Sequence, residues 1–206
     1  LKLDNQTIDQ INFQEYGAVF YSGTALSSEP SRSSVLLASE KAQKAQIPQI
    51  IDLDYRPYNW ESDEMKSIVY KKIMNEVDVI IGNDLEFNIA DNSENGFLLA
   101  HDIINAKPSI VIYKMGEKGS VVITSEEPPQ NYGIYPVQAI KPTGAGDAFN
   151  GGFLSSLIKG KTLDQSIKTG SASAAIVVTR VGCSSAMPSS SEVEEFITKH
   201  EIGSNT

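Results

Sequence analysis

Cysteine is almost absent from this chain. The single Cys183 rules out an intrachain disulfide, so the fold has to hold through its core, as suits a reducing cytoplasm. No His stands near Cys183 in sequence, so it reads as a quiet small residue rather than a nucleophile. Positive charge is also scarce: 17 Lys and Arg face 26 Asp and Glu, a net charge of -9. That argues against a nucleic-acid surface, which needs clustered cations, while leaving room for a nucleotide held by a few amides and one Lys. Long apolar runs are missing, and Val77–Ile81 is far too short to span a bilayer. Leu1-Lys-Leu-Asp-Asn lacks the apolar core of a signal peptide. No G-x-G-x-x-G links a strand to a helix with an acidic residue downstream, which makes a dinucleotide-binding Rossmann domain the weakest of the α/β readings.

What is present describes an ordinary globular chain. With 206 residues, 40% hydrophobic and 21% charged, there is enough chain for one domain with a sizeable core. Short Val- and Ile-rich segments at 17–22, 47–54, 77–82, 109–114 and 120–124 read as buried parallel strands. Between them, 31–46, 61–75 and 94–106 carry apolar residues at helical intervals. Alternation of this kind predicts a doubly wound, mainly parallel sheet with helices on both faces. Gly116-Glu-Lys-Gly119 joins two strands too closely for a helix, so a hairpin is expected there. Thr162 with Gln165 and Ser189 with Glu192 form capping boxes that open helices over 163–179 and 193–200. Residues 203–206 read as a frayed tail.

The most informative stretch is Lys141-Pro-Thr-Gly-Ala-Gly-Asp-Ala-Phe-Asn-Gly-Gly-Phe-Leu154. Phe149, Phe153, Leu157 and Ile158 fall one or two turns apart, which predicts a helix from about Gly146 to about Gly160. The amides of Gly144, Ala145 and Gly146 then lie at a helix N-terminus, where small residues let a phosphate approach. Asp147 stands beside them, where it could take a proton from a hydroxyl. An anion hole with one carboxylate is a phosphoryl-transfer arrangement. The structural alternative is a common Gly-Ala-Gly turn with an Asp serving the helix dipole.

The whole string resembles the C-terminal signature of the ribokinase-like (PfkB) carbohydrate kinases. The resemblance implies that Asp147 is the catalytic base and that Gly144, Ala145 and Gly146 hold the transferring phosphate. Asn83-Asp-Leu-Glu86 is a capping box by its residues alone. It is also similar to the family's N-x-x-E motif, which implies that Asn83 and Glu86 organise Mg²⁺, through water. Lys114, Gly116 and Gly119 flank the nucleotide on the same resemblance, and the small-residue helix face with Gly170, Ser173 and Ala174 borders the adenine. Without the resemblance, these are a hairpin turn with a solvated Lys and a close helix packing.

The segment 178–188 is similar to the family's monovalent-cation loop. Two departures argue against a potassium requirement: Ala186 stands where relatives often have Ser, and Lys141 where many have Asp. Asp52-Leu-Asp-Tyr-Arg-Pro-Tyr-Asn-Trp60 resembles the family's Asp-x-Asn-x-Arg string with Asp54 in place of Asn. Arg56 is then expected to hold a phosphate or a substrate carboxylate or ketone; otherwise it pairs with Asp52 or Asp54 on a surface turn. Together with 22–32 and 182–188, this string is similar to the 5-dehydro-2-deoxygluconokinases of inositol breakdown. The implied activity is ATP-dependent phosphorylation of a primary hydroxyl on a small sugar acid, without nucleic-acid or membrane partners. A 2-keto-3-deoxygluconate kinase is the neighbouring option. A nucleotide-binding module, or one that helps assemble a homo-oligomer, is the option from another class. On the resemblance, residues 1–206 correspond to the C-terminal two-thirds of one ribokinase-like domain, with the N-terminal signature and lid strands upstream of Leu1.

Overall fold

A computed structural model describes residues 3–57 and 60–203. Its contacts divide the chain into two compact units. One runs to Gly116 and includes Ser120–Gln130; the other holds Glu117–Gly119 and the chain from Asn131 onward.

The first unit is built on strands β1 (Val19–Ser22), β2 (Gln49–Asp52), β3 (Val79–Asn83), β4 (Ile110–Lys114) and β5 (Ser120–Thr124). Strand order follows chain order, with β1 to β4 parallel and β5 antiparallel to β4, so the expected hairpin is present. Helices α1 (Asn5–Asp9), α2 (Ser31–Ala45), α3 (Asp63–Met74), α4 (Asp84–Asp91) and α5 (Gly96–Ile103) complete it. One sheet face supplies Tyr21, Ile51, Leu53, Ile80, Val111 and Tyr113 to a core shared with Val35, Tyr70, Ile73 and Phe87 of the helices. With the strand order advancing steadily in one direction, residues of α2 to α5 join this one core. Side chains as buried as Ile51, Leu53, Ile80 and Phe87 each contribute about 1.5–3 kcal/mol.

Several helix ends follow from single residues. Ser62 accepts from the Met65 N–H to start α3. Asn83 and Glu86 form a reciprocal capping box that opens α4 directly at the end of β3. The segment read as one helix over 94–106 is shorter, because Gly96 begins it: a Cβ there would lie 2.4 Å from the Asn88 N.

The short strand β6 (Gln130–Tyr132) spans the point where the chain passes from one unit to the other; no pattern in the sequence marks it or α1. The second unit is dominated by α6 (Ala145–Ile158), α7 (Leu163–Val178) and α8 (Ser190–Lys199). The capping boxes expected at Thr162/Gln165 and Ser189/Glu192 both form. Tyr135, Ala172, Ala175, Ile176 and Val193 make one small core, and Ala148, Val177 and Ala186 another. Among the described residues no helix is long and apolar enough to cross a membrane. The frayed tail expected at the end falls largely on 204–206, outside the described residues.

Candidate active site

The parallel register of the first unit brings polar residues to the carboxyl ends of its strands, the edge where open α/β sheets bind ligands. Ser22 pairs with Asp52, and Asn83 with Lys114. Asp52 and Glu86 are each 8% exposed, and the Lys114 Nζ lies 3.6 Å from the Asp52 Oδ1. Lys114 therefore faces a buried carboxylate rather than open solvent.

Glu86 is held from two sides. Its Oε2 accepts the Asn83 N–H at 2.8 Å and its Oε1 accepts the Tyr55 N–H at 3.3 Å. The Asn83 Oδ1 accepts the Glu86 N–H at 2.9 Å, closing the capping box. Burial pushes the Glu86 carboxyl above its ordinary range. The Asn83 amide opposes that shift, the Asp52 charge adds to it, and Lys114 and the Tyr55 amide pull it back. Asp52, Glu86 and Lys114 thus form one cluster of ionisable side chains at this edge of the sheet.

No group of three or more His, Cys, Asp or Glu side chains among the described residues could cage a metal. This donor set suits an ion that keeps most of its waters and takes few carboxylates, which is the habit of Mg²⁺. Asp52 belongs to this cluster, although sequence reasoning considered it only as a partner for Arg56. An acidic residue closing an apolar strand was the available signal.

Arg56 pairs with Asp54: its guanidinium lies 2.7 Å from the Asp54 Oδ1 and donates to the Tyr55 carbonyl at 3.0 Å. The other Asp54 oxygen accepts the Ser22 hydroxyl at 2.7 Å and lies 2.8 Å from the Thr24 hydroxyl. Asp54 has φ +34°, left-handed for a non-glycine residue, a strain that persists only where surrounding contacts hold it. The Arg56 side chain is thus oriented at its head group while remaining 56% exposed. Tyr58 and Asn59 of the same string lie outside the described residues.

The hairpin turn has Gly116 at φ +58° and Gly119 at φ +83°. A Cβ on Gly116 would meet nothing within 4 Å, so its role is to permit the backbone conformation.

In the second unit Gly144 is the N-cap of α6, at φ +88°. The helix begins one residue earlier than the periodicity suggested. The Ala145 N–H turns back to the Pro142 carbonyl at 3.2 Å, leaving Gly146 and Asp147 in the first helical turn, where N–H groups lack intrahelical partners. Asp147 is exposed. It stands in a cleft of about 780 Å³ floored by Gly151, Gly152 and Ser155 of α6 and walled by Met187, Val193 and Ile197.

Gly170, Ser173 and Ala174 were expected beside an adenine. Gly170 is buried, and a Cβ on it would lie 2.9 Å from the Phe149 carbonyl oxygen. Ser173 is 3% exposed and donates to the Thr169 carbonyl. Both therefore serve the contact between α6 and α7, whereas Ala174 is only half-buried. Lys141 is exposed at the entrance to the Gly144 turn, and both its N–H and that of Ile140 donate to the Val178 carbonyl. Cys183 is exposed.

The sequence matches the pfkB family carbohydrate kinases over residues 2–190. It is 34% identical to a 5-dehydro-2-deoxygluconokinase of Halalkalibacterium halodurans, covering 98% of this chain and 62% of that protein. A protein of the same name from Photobacterium profundum is 35% identical with the same coverage. The chain thus spans 62% of the length of these curated relatives. Two solved structures resemble it in fold. One is aminoimidazole riboside kinase from Salmonella enterica complexed with aminoimidazole riboside and an ATP analog, at TM-score 0.80 and 20% identity, covering 88% of this chain and 62% of that one. The other is ribokinase from Thermotoga maritima, at TM-score 0.73 and 23% identity, covering 95% and 62%. The fold is therefore ribokinase-like, a mixed α/β sheet with helices, as the sequence implied.

Proposed function

Because this chain belongs to the pfkB family carbohydrate kinases, we propose that it carries the nucleotide half of an ATP-dependent kinase acting on a primary hydroxyl of a small sugar acid. The observation that carries the reading is the left-handed Gly144 turn opening α6 with an exposed Asp147 in its first turn. Asp147 takes the proton from the substrate hydroxyl. The freed oxygen bonds to the γ-phosphorus, and the bond to the β-phosphate oxygen breaks, leaving ADP with the electron pair. The Gly144, Ala145 and Gly146 segment offers backbone amides to the charge on the moving phosphoryl group. Lys114, Gly116 and Gly119 flank the nucleotide, with the half-buried Ala174 of α7 toward the adenine. Magnesium bound with the nucleotide supplies charge neutralisation on the phosphates, and Asn83, Glu86 and Asp52 would hold it through its waters. Arg56, steadied by Asp54, offers a guanidinium fork to the acid group of the substrate.

The names of the curated relatives favour 5-dehydro-2-deoxygluconate as that substrate. A panel of sugar acids tests this: preference for 2-keto-3-deoxygluconate would move the assignment to the neighbouring kinase. The base is tested with Asp147→Asn in the intact enzyme, which keeps the volume and removes the proton acceptor. Its kcat should fall roughly 10²–10⁴-fold while ATP affinity stays near the parent value. Near-normal kcat would refute the role.

A further inference from the structure

The Gly144 turn has no side chain of its own to fix it, so its shape depends on what packs against it. A Cβ on Gly144 would lie 3.4 Å from the Met187 Cε and 3.5 Å from the Cys183 Sγ. Both neighbours come from the loop between α7 and α8, whose only regular piece is a short 3₁₀ turn at Ser184–Ala186. Something must seat that loop.

Arg180 is the side chain that spans it. The guanidinium donates to the Ala186 carbonyl at 3.2 Å and to the Glu192 Oε1 at 2.5 Å. The other Glu192 oxygen accepts the Ser189 N–H at 2.8 Å and its hydroxyl at 3.0 Å. One planar fork therefore ties the end of α7, the loop and the start of α8 together, a geometry Lys cannot reproduce. The Ser189 amide, then Arg180 and the Ser189 hydroxyl, hold the Glu192 carboxyl down at about 2, so it is charged in ordinary buffers. The same end of α7 also secures the chain entering the turn, since the Val178 carbonyl accepts from Ile140 at 2.7 Å and Lys141 at 3.0 Å.

We infer that Arg180 is a positioning residue: it seats the 181–188 loop so that Cys183 and Met187 hold the Gly144–Asp147 turn in its phosphoryl-binding shape. That the turn binds a phosphoryl group rests on the proposed function; that Arg180 shapes the turn does not. Arg180 itself touches none of the turn residues in the contacts described, so its effect there is indirect.

Hydrogen exchange on the whole chain separates the two. The Ala145 and Ala148 amides bond to the Pro142 and Gly144 carbonyls and report the turn; amides in the middle of α7 report general stability. In Arg180→Ala, with circular dichroism unchanged, exchange at Ala145 and Ala148 should quicken roughly ten-fold while α7 stays within about two-fold. Arg180→Lys should fall between the variant and the parent. In the intact kinase the same substitution should lower kcat more than it raises KM for ATP. Unchanged protection at the turn, or an equal loss in both segments, overturns the positioning role. Should Arg180→Ala not fold, Glu192→Gln breaks the ion pair with little change of shape and is read by the same criteria. Loss of turn protection with normal kcat would leave the inference standing and count against the proposed function.

Discussion

Gly151 and Gly152 sit side by side in α6, yet substitution by Ala should move stability in opposite directions. A Cβ on Gly151 meets nothing within 4 Å, so Gly151→Ala gains only the lower backbone entropy of the unfolded chain, about 0.5–1 kcal/mol. A Cβ on Gly152 would lie 2.3 Å from the Ser173 Oγ, 2.8 Å from the Thr169 carbonyl oxygen and 3.0 Å from the Ser173 Cβ. Two of these atoms belong to a buried side chain and one to helix backbone, so α6 and α7 must separate. Overpacking of this kind costs about 1–3 kcal/mol. Against the same entropic gain, Gly152→Ala should come out destabilised by roughly 0.5–2 kcal/mol.

The double variant Gly152→Ala/Ser173→Ala removes the nearest atom and should recover part of the loss, with a coupling of at least about 0.5 kcal/mol. Urea unfolding followed by far-ultraviolet circular dichroism reads the loss of helix along the chain, α6 and α7 included. The fluorescence of Trp60, the single tryptophan, reports the first unit and should move less. Equal stabilisation by both Ala variants would show that the close approach of the two helices does not exist.

Two further outcomes test the first unit. Arg56→Ala in the intact kinase should lower kcat/KM for an acid substrate roughly 10–100-fold, the scale of a lost charge-assisted hydrogen bond, with Arg56→Lys nearly as impaired; unchanged kinetics would return Arg56 to a surface pair with Asp54. Glu86→Gln should raise the Mg²⁺ concentration for half-maximal rate about 10-fold or more while folding stability changes by less than about 1 kcal/mol, and an unaltered Mg²⁺ dependence would leave Glu86 as a helix cap. Because burial raises the Glu86 carboxyl, its ionised form costs stability above the raised value, and that cost fades as pH falls toward 4.5. Glu86→Gln should abolish this part of the pH dependence, as urea midpoints across that range would reveal.

Features written in short-range chemistry were legible from the sequence. Asn83/Glu86, Thr162/Gln165 and Ser189/Glu192 need only three-residue spacing, and all three capping boxes form. The Gly116 and Gly119 turn produced the hairpin and the bounds of β5 to the residue. Strand β6 escaped because Gln130 and Asn131 are polar and exposed, so no alternation marks it. The cluster of Asp52 with Glu86 and Lys114 depends on strand register, and the bridge from Arg180 to Glu192 spans a loop. Neither distance can be read along the chain. The small residues of α7 show the opposite limit, since Gly170 and Ser173 suit close packing and ligand approach equally well until a neighbour such as Phe149 is seen.

The left-handed backbone at Asp54 has one more consequence. Among residues with a Cβ, Asn and Asp tolerate that region best, so an exchange between them at this position leaves the turn undisturbed. What changes is one unit of charge against the guanidinium of Arg56, 2.7 Å away. With Asp the guanidinium is balanced in charge on its inner side and fixed in direction. With Asn it would keep its whole charge and lose that anchor. An exchange of Asp54 for Asn would thus retune the charge and the aim of one side chain without altering the path of the main chain.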